Sequence, residues 1–144
     1  MKICIGSDHG GYLLKQEVIA HLKERGFEVT DVGCYSEESC DYPVYAKPVT
    51  DAIKDKTADF GILICGTGIG MSIAANKVKG IRAAKVATPR EAALAKEHNL
   101  ANVITLAEYT ENLDEIIDSF IDTENSKEER HNRRVEKIME IENE

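Results

Sequence analysis

Apolar and polar positions follow each other along this chain in an order that predicts alternating strands and helices. Short apolar runs predict five strands, at residues 2–6, 27–32, 59–64, 81–86 and 102–106. Apolar residues at helical spacing predict helices at 12–25, 43–53, 88–98 and 113–121, and another helix begins in the glycine-rich stretch after residue 65. This succession favours a parallel sheet with helices on both faces, which binds ligands at the carboxyl ends of its strands.

Capping and stop residues mark several of the predicted helix boundaries. Gly26 follows the first helix as a typical stop, and residues 88–91 (Thr-Pro-Arg-Glu) form a capping box with proline at the first helical position. Asp41 precedes Tyr42-Pro43 in a similar way, so we expect Asp41 to cap the second helix.

The third strand ends in Cys65, and the turn Gly66-Thr67-Gly68-Ile69-Gly70 follows at once. Met71 stands where a dinucleotide fingerprint needs glycine and where a cysteine-based phosphatase needs arginine, and no Gly-Lys-Ser/Thr follows as in a P-loop. A turn of this kind aims backbone N–H groups beside a helix N-terminus, which favours a reactive thiolate and a developing oxyanion. An inert, buried cysteine before a glycine turn fits this stretch equally well.

Two further polar clusters lie where predicted strands and helices end. Asp8 and His9 follow the first strand and suit a polar ligand pocket, although Asp8 could simply cap the next helix. His98 and Asn99 close the fourth helix, where the histidine is either a proton-transfer group or a side chain compatible with the helix dipole. Taken together, the clusters predict one site at one edge of the sheet.

Residues 124–144 differ in character from the rest of the chain. A polar hinge at 124–127 precedes a strongly charged helix at 128–142, whose few apolar residues leave a thin surface for packing. Arg130 and Arg134 lie four residues apart and therefore on one helical face. They form either a fork for a phosphate or part of a solvated face of Glu–Arg pairs. We expect this C-terminal extension helix to dock on a neighbouring subunit.

Composition narrows the classes of function that fit this chain. With 144 residues, 42% of them hydrophobic, the chain is expected to form a single soluble domain over residues 1–144. The formal net charge of −8 argues against nucleic acid and against an anionic membrane as partners. The four cysteines have no zinc or disulfide spacing and the amino terminus enters a strand directly, so we expect a cytoplasmic protein with reduced thiols and no metal.

The motifs together resemble the ribose-5-phosphate isomerase B family, which includes the subunits of galactose-6-phosphate isomerase. The matching segments occur in order over nearly the whole chain, at 6–11, 41–43, 64–70, 74–77, 80–84, 97–99 and 130–134. The resemblance implies a three-layer, Rossmann-like fold and an aldose–ketose isomerase that acts on a small sugar phosphate without metal or organic cofactor. D-Ribose 5-phosphate and D-ribulose 5-phosphate are the expected pair, interconverted through a cis-enediolate. A homodimer or a dimer of dimers, with sites shared between subunits, is also implied.

The same resemblance assigns roles to individual residues. Cys65 is the expected base that moves the proton between C2 and C1, His98 the acid that opens the furanose ring, and Thr67 a hydrogen-bonding partner of the reacting region. The glycine-turn amides hold the enediolate, Asp8 and Asn99 grip hydroxyls, and His9 with the two arginines takes the phosphate. The expected substrate-binding residues are therefore Asp8, His9, Gly66, Gly68, Ile69, Gly70, Asn99, Arg130 and Arg134. By the same resemblance, His98 and Asn99 reach the site from the neighbouring subunit.

Two departures from the family pattern bear on the substrate. Ala107-Glu108-Tyr109 stands where the family commonly has Gly-x-Arg, and Glu128-Glu129 stands before Arg130 in place of two glycines. A different sugar phosphate, of the galactose or allose 6-phosphate type, or weaker phosphate binding therefore stays open. Two other classes also stay open: a non-catalytic phosphosugar-binding regulator, and a redox-sensing thiol protein, although no resolving cysteine lies near Cys65 in the sequence.

Overall fold

Five parallel strands form one sheet in the computed structural model, which describes residues 1–144. The strands are β1 (Lys2–Ser7), β2 (Glu28–Asp31), β3 (Phe60–Cys65), β4 (Ala83–Lys85) and β5 (Val103–Ala107). Their order across the sheet is β2-β1-β3-β5-β4, and every neighbouring pair is parallel. The predicted α/β class with a five-stranded parallel sheet is therefore confirmed.

Six helices complete the fold. They are α1 (Tyr12–Glu24), α2 (Pro43–Lys54), α3 (Ile69–Asn76), α4 (Pro89–Asn99), α5 (Leu113–Asp122) and α6 (Glu129–Ile141). Helices α1, α4 and α5 pack on one face of the sheet, in a core that includes Leu22, Ile104 and Phe120. Helices α2 and α3 cover the other face, around Val49 and Met71. Burial of apolar side chains on both faces produces the three expected layers.

A crevice is expected at the carboxyl ends of β1 and β3. These strands are neighbours, and Ser7 is paired with Ile64 at their ends. The helix that follows β1 lies on one face of the sheet and the helix that follows β3 lies on the other. Because the two connections leave in opposite directions, they open a space between them, as at the switch point of other open α/β sheets.

The structure changes some predicted boundaries. The fourth strand is only Ala83–Lys85, because the Ile81 amide closes a turn onto the Val78 carbonyl and the Arg82 amide donates to Asn102 Oδ1. Thr88 caps α4 as expected, since its Oγ1 accepts from the Glu91 amide at 3.1 Å.

The expectation that Asp41 caps the second helix is wrong. Tyr42 occupies the N-cap position of α2, and no side chain accepts a hydrogen bond there. Asp41 contributes its backbone carbonyl instead, which accepts from the Val44 amide at 3.2 Å.

Helix α6 contacts its own domain through a small part of its surface. Val135 is buried, and the carboxylate of Glu142 accepts from the Gly80 amide at 2.9 Å. Ile138 and Ile141 remain 43% and 65% exposed, so much of the apolar stripe is uncovered. Docking of this helix on a neighbouring subunit stays a prediction.

Candidate active site

The thiol of Cys65 lies at the carboxyl end of β3, beneath the glycine turn. Its side chain is buried, and its sulfur accepts a hydrogen bond from the Gly68 amide at 3.2 Å. Gly68 has φ +76°, and a Cβ there would lie 2.9 Å from the carbonyl carbon of Leu106. Only glycine meets both conditions without strain, and its conformation folds the amide back onto the sulfur.

Several amides of the same turn have no acceptor within the chain. The N–H groups of Gly66, Thr67, Gly70 and Met71 donate to no backbone or side-chain atom of the protein. Gly70 and Met71 lie in the first turn of α3, where the helix dipole is positive and the first N–H groups have no intrahelical partner, and Gly66 and Thr67 lie in the turn just before it. The turn can therefore bind an oxyanion next to the Cys65 sulfur.

Two threonines shape this turn. Thr67 is exposed, and its Oγ1 accepts from the Ile69 amide at 3.2 Å, so the side chain holds the turn as well as facing solvent. Thr105 is fully buried in β5, and its hydroxyl donates to the Gly68 carbonyl at 2.8 Å. Sequence reasoning missed Thr105, and its only mark in the sequence is a hydroxyl within an apolar strand.

Asp8 and His9 stand in the turn after β1, beside the end of β3. The Asp8 amide donates to the Ile64 carbonyl at 3.1 Å, and its buried carboxylate accepts from the Gly11 amide at 3.1 Å. The simpler interpretation, that Asp8 caps the next helix, is wrong: Gly11 occupies the N-cap position of α1 and no side chain accepts a capping hydrogen bond there. Asp8 instead holds the turn that precedes the helix. His9 Nδ1 accepts from the Cys40 amide at 3.2 Å. In a neutral ring the proton must then be on Nε2.

An acidic side chain, that of the residue that follows β5, reaches the same turn. Glu108 donates its amide to the Gly66 carbonyl at 3.2 Å. Its Oε2 lies 2.6 Å from the position a Cβ on Gly10 would take. Tyr109, the next residue, is 65% exposed. The carboxylate of Glu108 thus lies close to Asp8 and His9. His9 is expected to bind a phosphate, and a carboxylate beside it disfavours an anionic ligand.

The prediction that the polar clusters form one site at one edge of the sheet is wrong within a single chain. Cys65 is paired with Ala107 at the carboxyl end of β5, whereas His98 and Asn99 end α4 just before the amino end of the same strand. Five strand residues at about 3.3 Å each separate these ends by roughly 16 Å. The polar residues therefore form two groups, which we call the cysteine half-site (Asp8, His9, 65–70) and the histidine half-site (98–99, 130–134).

His98 stacks on a second histidine that the sequence assigned no role. The rings of His98 and His131 are parallel within 27°, with centroids 4.1 Å apart. His131 is buried at the start of α6, and its Nδ1 lies 2.7 Å from Ser126 Oγ. Burial and the neighbouring His98 lower the pKa of His131 below its ordinary value. His131 therefore stacks on the ring of His98, and its own ring is neutral near pH 7.

The two arginines of α6 lie in the histidine half-site but differ in their partners. Arg130 pairs with the carboxylate of Glu128 at 2.7 Å, so one of the two glutamates before this helix already engages it. Arg134 is exposed and makes no ion pair or side-chain hydrogen bond within the chain. Arg133, between them on another face, pairs with Glu129. Arg134 is therefore the more available cation for an anionic ligand.

No three histidine, cysteine, aspartate or glutamate side chains are grouped so as to hold a metal ion. None of the helices combines the length and the hydrophobicity that a bilayer crossing requires.

Comparison with known proteins places this geometry among sugar-phosphate isomerases. The model of the family described as Ribose/Galactose Isomerase matches residues 3–138. Ribose-5-phosphate isomerase B of Escherichia coli (strain K12) is 46% identical over 144 residues, which cover 98% of this chain and 96% of that protein.

Solved structures agree over the same length. Clostridium thermocellum ribose-5-phosphate isomerase B superimposes with a TM-score of 0.95 at 50% identity, covering 99% of this chain and 98% of that one. The Mycoplasma genitalium ribose-5-phosphate isomerase B, solved with bound ribulose-5-phosphate, has a TM-score of 0.92 at 43% identity, covering 99% and 97% of the two chains.

Proposed function

Since this chain belongs to the Ribose/Galactose Isomerase family and is an aldose–ketose isomerase, we propose that it interconverts D-ribose 5-phosphate and D-ribulose 5-phosphate through a cis-enediolate. One observation carries this proposal. The Cys65 sulfur lies beside a turn whose amides at 66, 67, 70 and 71 have no acceptor within the chain. A base next to unused N–H donors is what proton transfer beside a carbonyl requires.

Cys65 acts as the base in this proposal. As a thiolate it removes the proton from C2 of the open-chain aldose and becomes the thiol. It then returns that proton to C1, while the hydroxyl proton of O2 passes to O1, so the thiolate is regenerated at the end of the reaction. The amide of Gly68 donates to the sulfur at 3.2 Å and so fixes it beneath the glycine turn. Burial of the side chain also keeps water from the transferred proton.

The amides of the glycine turn take the negative charge that develops on the substrate. As the C2 proton leaves, the C1 oxygen becomes an oxyanion. Donors that are already oriented stabilise it without reorganisation, and each contributes about 2.7–4 kcal/mol to transition-state stabilisation in comparable sites. Asp8 and Asn99 hold hydroxyls, and Thr67 contacts the reacting region. Since the amides carry the charge, the reaction as proposed uses no metal and no organic cofactor.

Two copies of the chain build each site in this proposal. His98 opens the furanose ring, and it belongs to the histidine half-site, roughly 16 Å of strand away from Cys65 in the same chain. A second copy that brings its histidine half-site to the cysteine half-site removes this separation. Exposed apolar side chains support the association. Ile69 and Ile73 on α3 are 52% and 58% exposed, and Ile138 and Ile141 on α6 are 43% and 65% exposed. We therefore propose a homodimer, which could pair further into a tetramer.

The phosphate lies between His9 of one copy and the arginines of the other. Arg134 has no partner within the chain, so it contributes the most. Glu108 at the Gly10 turn and Glu128 on Arg130 both weaken phosphate binding at this place. These two carboxylates favour a second candidate substrate, a hexose 6-phosphate whose longer chain places its phosphate elsewhere.

A substrate panel tests the function directly. The pure protein is incubated with ribose 5-phosphate, galactose 6-phosphate and allose 6-phosphate, and ketose formation is measured for each, with Cys65→Ala as the inactive control. Formation of ribulose 5-phosphate by the wild type and not by Cys65→Ala supports the proposal. If only a hexose 6-phosphate is converted, that sugar phosphate and not ribose 5-phosphate is the substrate. Binding of a sugar phosphate without any turnover would favour a phosphosugar-binding regulator.

A further inference from the structure

The C-terminal extension places a second imidazole against the one proposed to open the furanose. His131 lies in the first turn of α6 and is buried, and its ring is parallel to the His98 ring within 27° at a centroid distance of 4.1 Å. The side chain of His98 is still 40% exposed, so a ligand can reach it. The imidazole of His98 is therefore supported by its own chain where it meets His131 and is accessible elsewhere.

Ser126, in the hinge before α6, fastens His131 to the end of α4. Its amide donates to the Glu97 carbonyl at 3.0 Å, and its hydroxyl oxygen lies 2.7 Å from His131 Nδ1. The same oxygen accepts from the Glu128 amide at 3.1 Å, so the hydroxyl proton is free for Nδ1 of the neutral imidazole. The supporting ring is therefore held in place by burial and by this tether to the residue before His98.

His98 has no other contact that would fix its orientation. Neither of its ring nitrogens makes a hydrogen bond within the chain, and the nearest carboxylate oxygen, that of Glu97, lies 3.9 Å from Nε2. That distance is too long for a hydrogen bond. A half-exposed side chain in the last turn of a helix exchanges between rotamers unless packing holds it. The stack on His131 is the contact that can do so.

We propose that His131 is a positioning residue, which holds the imidazole of His98 where it can protonate the ring oxygen of a bound furanose. Its task rests on the proposed role of His98 in ring opening. In that step the C1–O4 bond breaks and O4 takes the proton of His98. The O1 hydroxyl loses its proton to solvent as the C1=O1 bond forms, and solvent reprotonates His98.

A proton donor must lie within hydrogen-bond reach of the atom that it protonates, and a displacement of about 1 Å costs roughly 10²-fold in rate. A stacked ring supports His98 through its face and not through its nitrogens. Phenylalanine at position 131 should therefore preserve the support, whereas alanine should remove it. This contrast separates positioning from any chemistry of the second imidazole.

The stack is tested first without substrate. The chain has four histidines, so single substitutions assign the ring resonances of isotopically labelled protein. We expect nuclear Overhauser contacts between the rings of His98 and His131 in the wild type, and between His98 and the phenyl ring in His131→Phe. Absence of the contact between the two histidine rings would overturn the proposal.

Ring opening is then measured apart from isomerisation, in Cys65→Ala. This variant lacks the proposed base, so bound ribose 5-phosphate opens and closes again without forming a ketose, and each cycle can interconvert its two anomers. Magnetisation-exchange NMR of ¹³C-labelled ribose 5-phosphate measures the interconversion above the spontaneous rate. Calorimetry measures affinity and the number of competent sites, and the rate is expressed per competent site, so that partial unfolding does not imitate the effect.

Adding His131→Ala to Cys65→Ala should lower the catalysed interconversion roughly tenfold or more with affinity largely unchanged. Adding His131→Phe should keep most of it, and Ser126→Ala, which removes only the tether, should lie between the two. An unchanged rate with His131→Ala, or equal losses with alanine and phenylalanine, would overturn the positioning role while the role of His98 stands. If Cys65→Ala binds ribose 5-phosphate without interconverting its anomers, the proposed role of His98 is wrong, and the positioning role is overturned with it.

Discussion

Cys4 and Cys65 are buried thiols on neighbouring strands, and their surroundings separate their roles. Cys4 lies inside β1, where burial and, to a lesser extent, the charge of Asp31 raise its pKa to about 11. Cys65 stands at the end of β3, where the Gly68 amide donates to its sulfur. At the scale of single residues, the position along the strand decides which thiol can do chemistry.

Replacing Cys65 with alanine should therefore lower kcat by about 10²–10⁴-fold and leave sugar-phosphate affinity largely intact, because a base is removed and not a binding contact. Steady-state kinetics and calorimetric binding measure the two quantities. Cys4→Ala is the matched control. It should keep kcat and lose about 0.5–3 kcal/mol of unfolding free energy. Turnover by Cys65→Ala at the wild-type rate would contradict the assignment.

Arg134 is the free cation of the histidine half-site. Its replacement by alanine should raise KM for the sugar phosphate by roughly 10–150-fold, since a charge-assisted hydrogen bond of about 1.5–3 kcal/mol is lost. The neighbouring Arg133→Ala removes the same charge from a side chain already paired with Glu129 and should have little effect. Equal KM values for both variants would assign Arg134 to the solvated face of the helix.

At the scale of elements, the glycine turn depends on the strand beneath it. The Thr105 hydroxyl of β5 holds the Gly68 carbonyl, and the β5 backbone leaves no room for a side chain on Gly68. The open amides and the Cys65 contact therefore rest on packing between α3 and β5 as much as on local sequence.

Gly68→Ala should lose about 1–3 kcal/mol of unfolding free energy, because a side chain at φ +76° is strained and its Cβ meets the backbone of Leu106. Chemical denaturation measures this loss. Gly66→Ala is the matched control, since its Cβ would have no neighbour within 4 Å. If the two variants were equally stable, the turn would not be constrained by β5.

The stabilising contact between α4 and α6 that His131 makes should weaken as the pH falls. Burial, then His98, lower the pKa of His131 below its ordinary 6.5, so the folded protein binds this proton less readily than the unfolded chain. The stabilising contribution is complete above about pH 6.5 and is lost as the pH falls from there towards the folded value. Thermal unfolding at pH 7.5 and pH 5 should show a smaller decrease in Tm for His131→Gln than for wild type. Parallel decreases would exclude His131 as the source.

At the scale of the whole molecule, a single chain keeps its two half-sites at opposite edges of one sheet. Mixing the inactive variants Cys65→Ala and His98→Ala should restore about a quarter of wild-type activity, because half of randomly exchanged dimers are mixed and each has one intact site. Mixing His98→Ala with Asn99→Ala is the control. Both lesions lie in the same half-site, so no intact site arises. Absence of recovery, with exchange verified by mass, would mean that one chain builds its own site.

The sequence by itself determined the α/β class, the order of the strands along the chain and the glycine turn after Cys65. These properties depend on periodicity and on neighbouring residues, which a single sequence displays directly. It also placed Arg130 and Arg134 on one helical face, because helical spacing is a local property.

Only the tertiary structure decided which polar residues meet. His98 and Cys65 looked equivalent as residues at the ends of elements, but α4 runs antiparallel to the strands and carries His98 to the opposite edge. The His98–His131 stack and the Thr105 hydrogen bond join residues more than thirty positions apart in the chain. No local pattern encodes such contacts, because they arise when separate elements pack on one sheet.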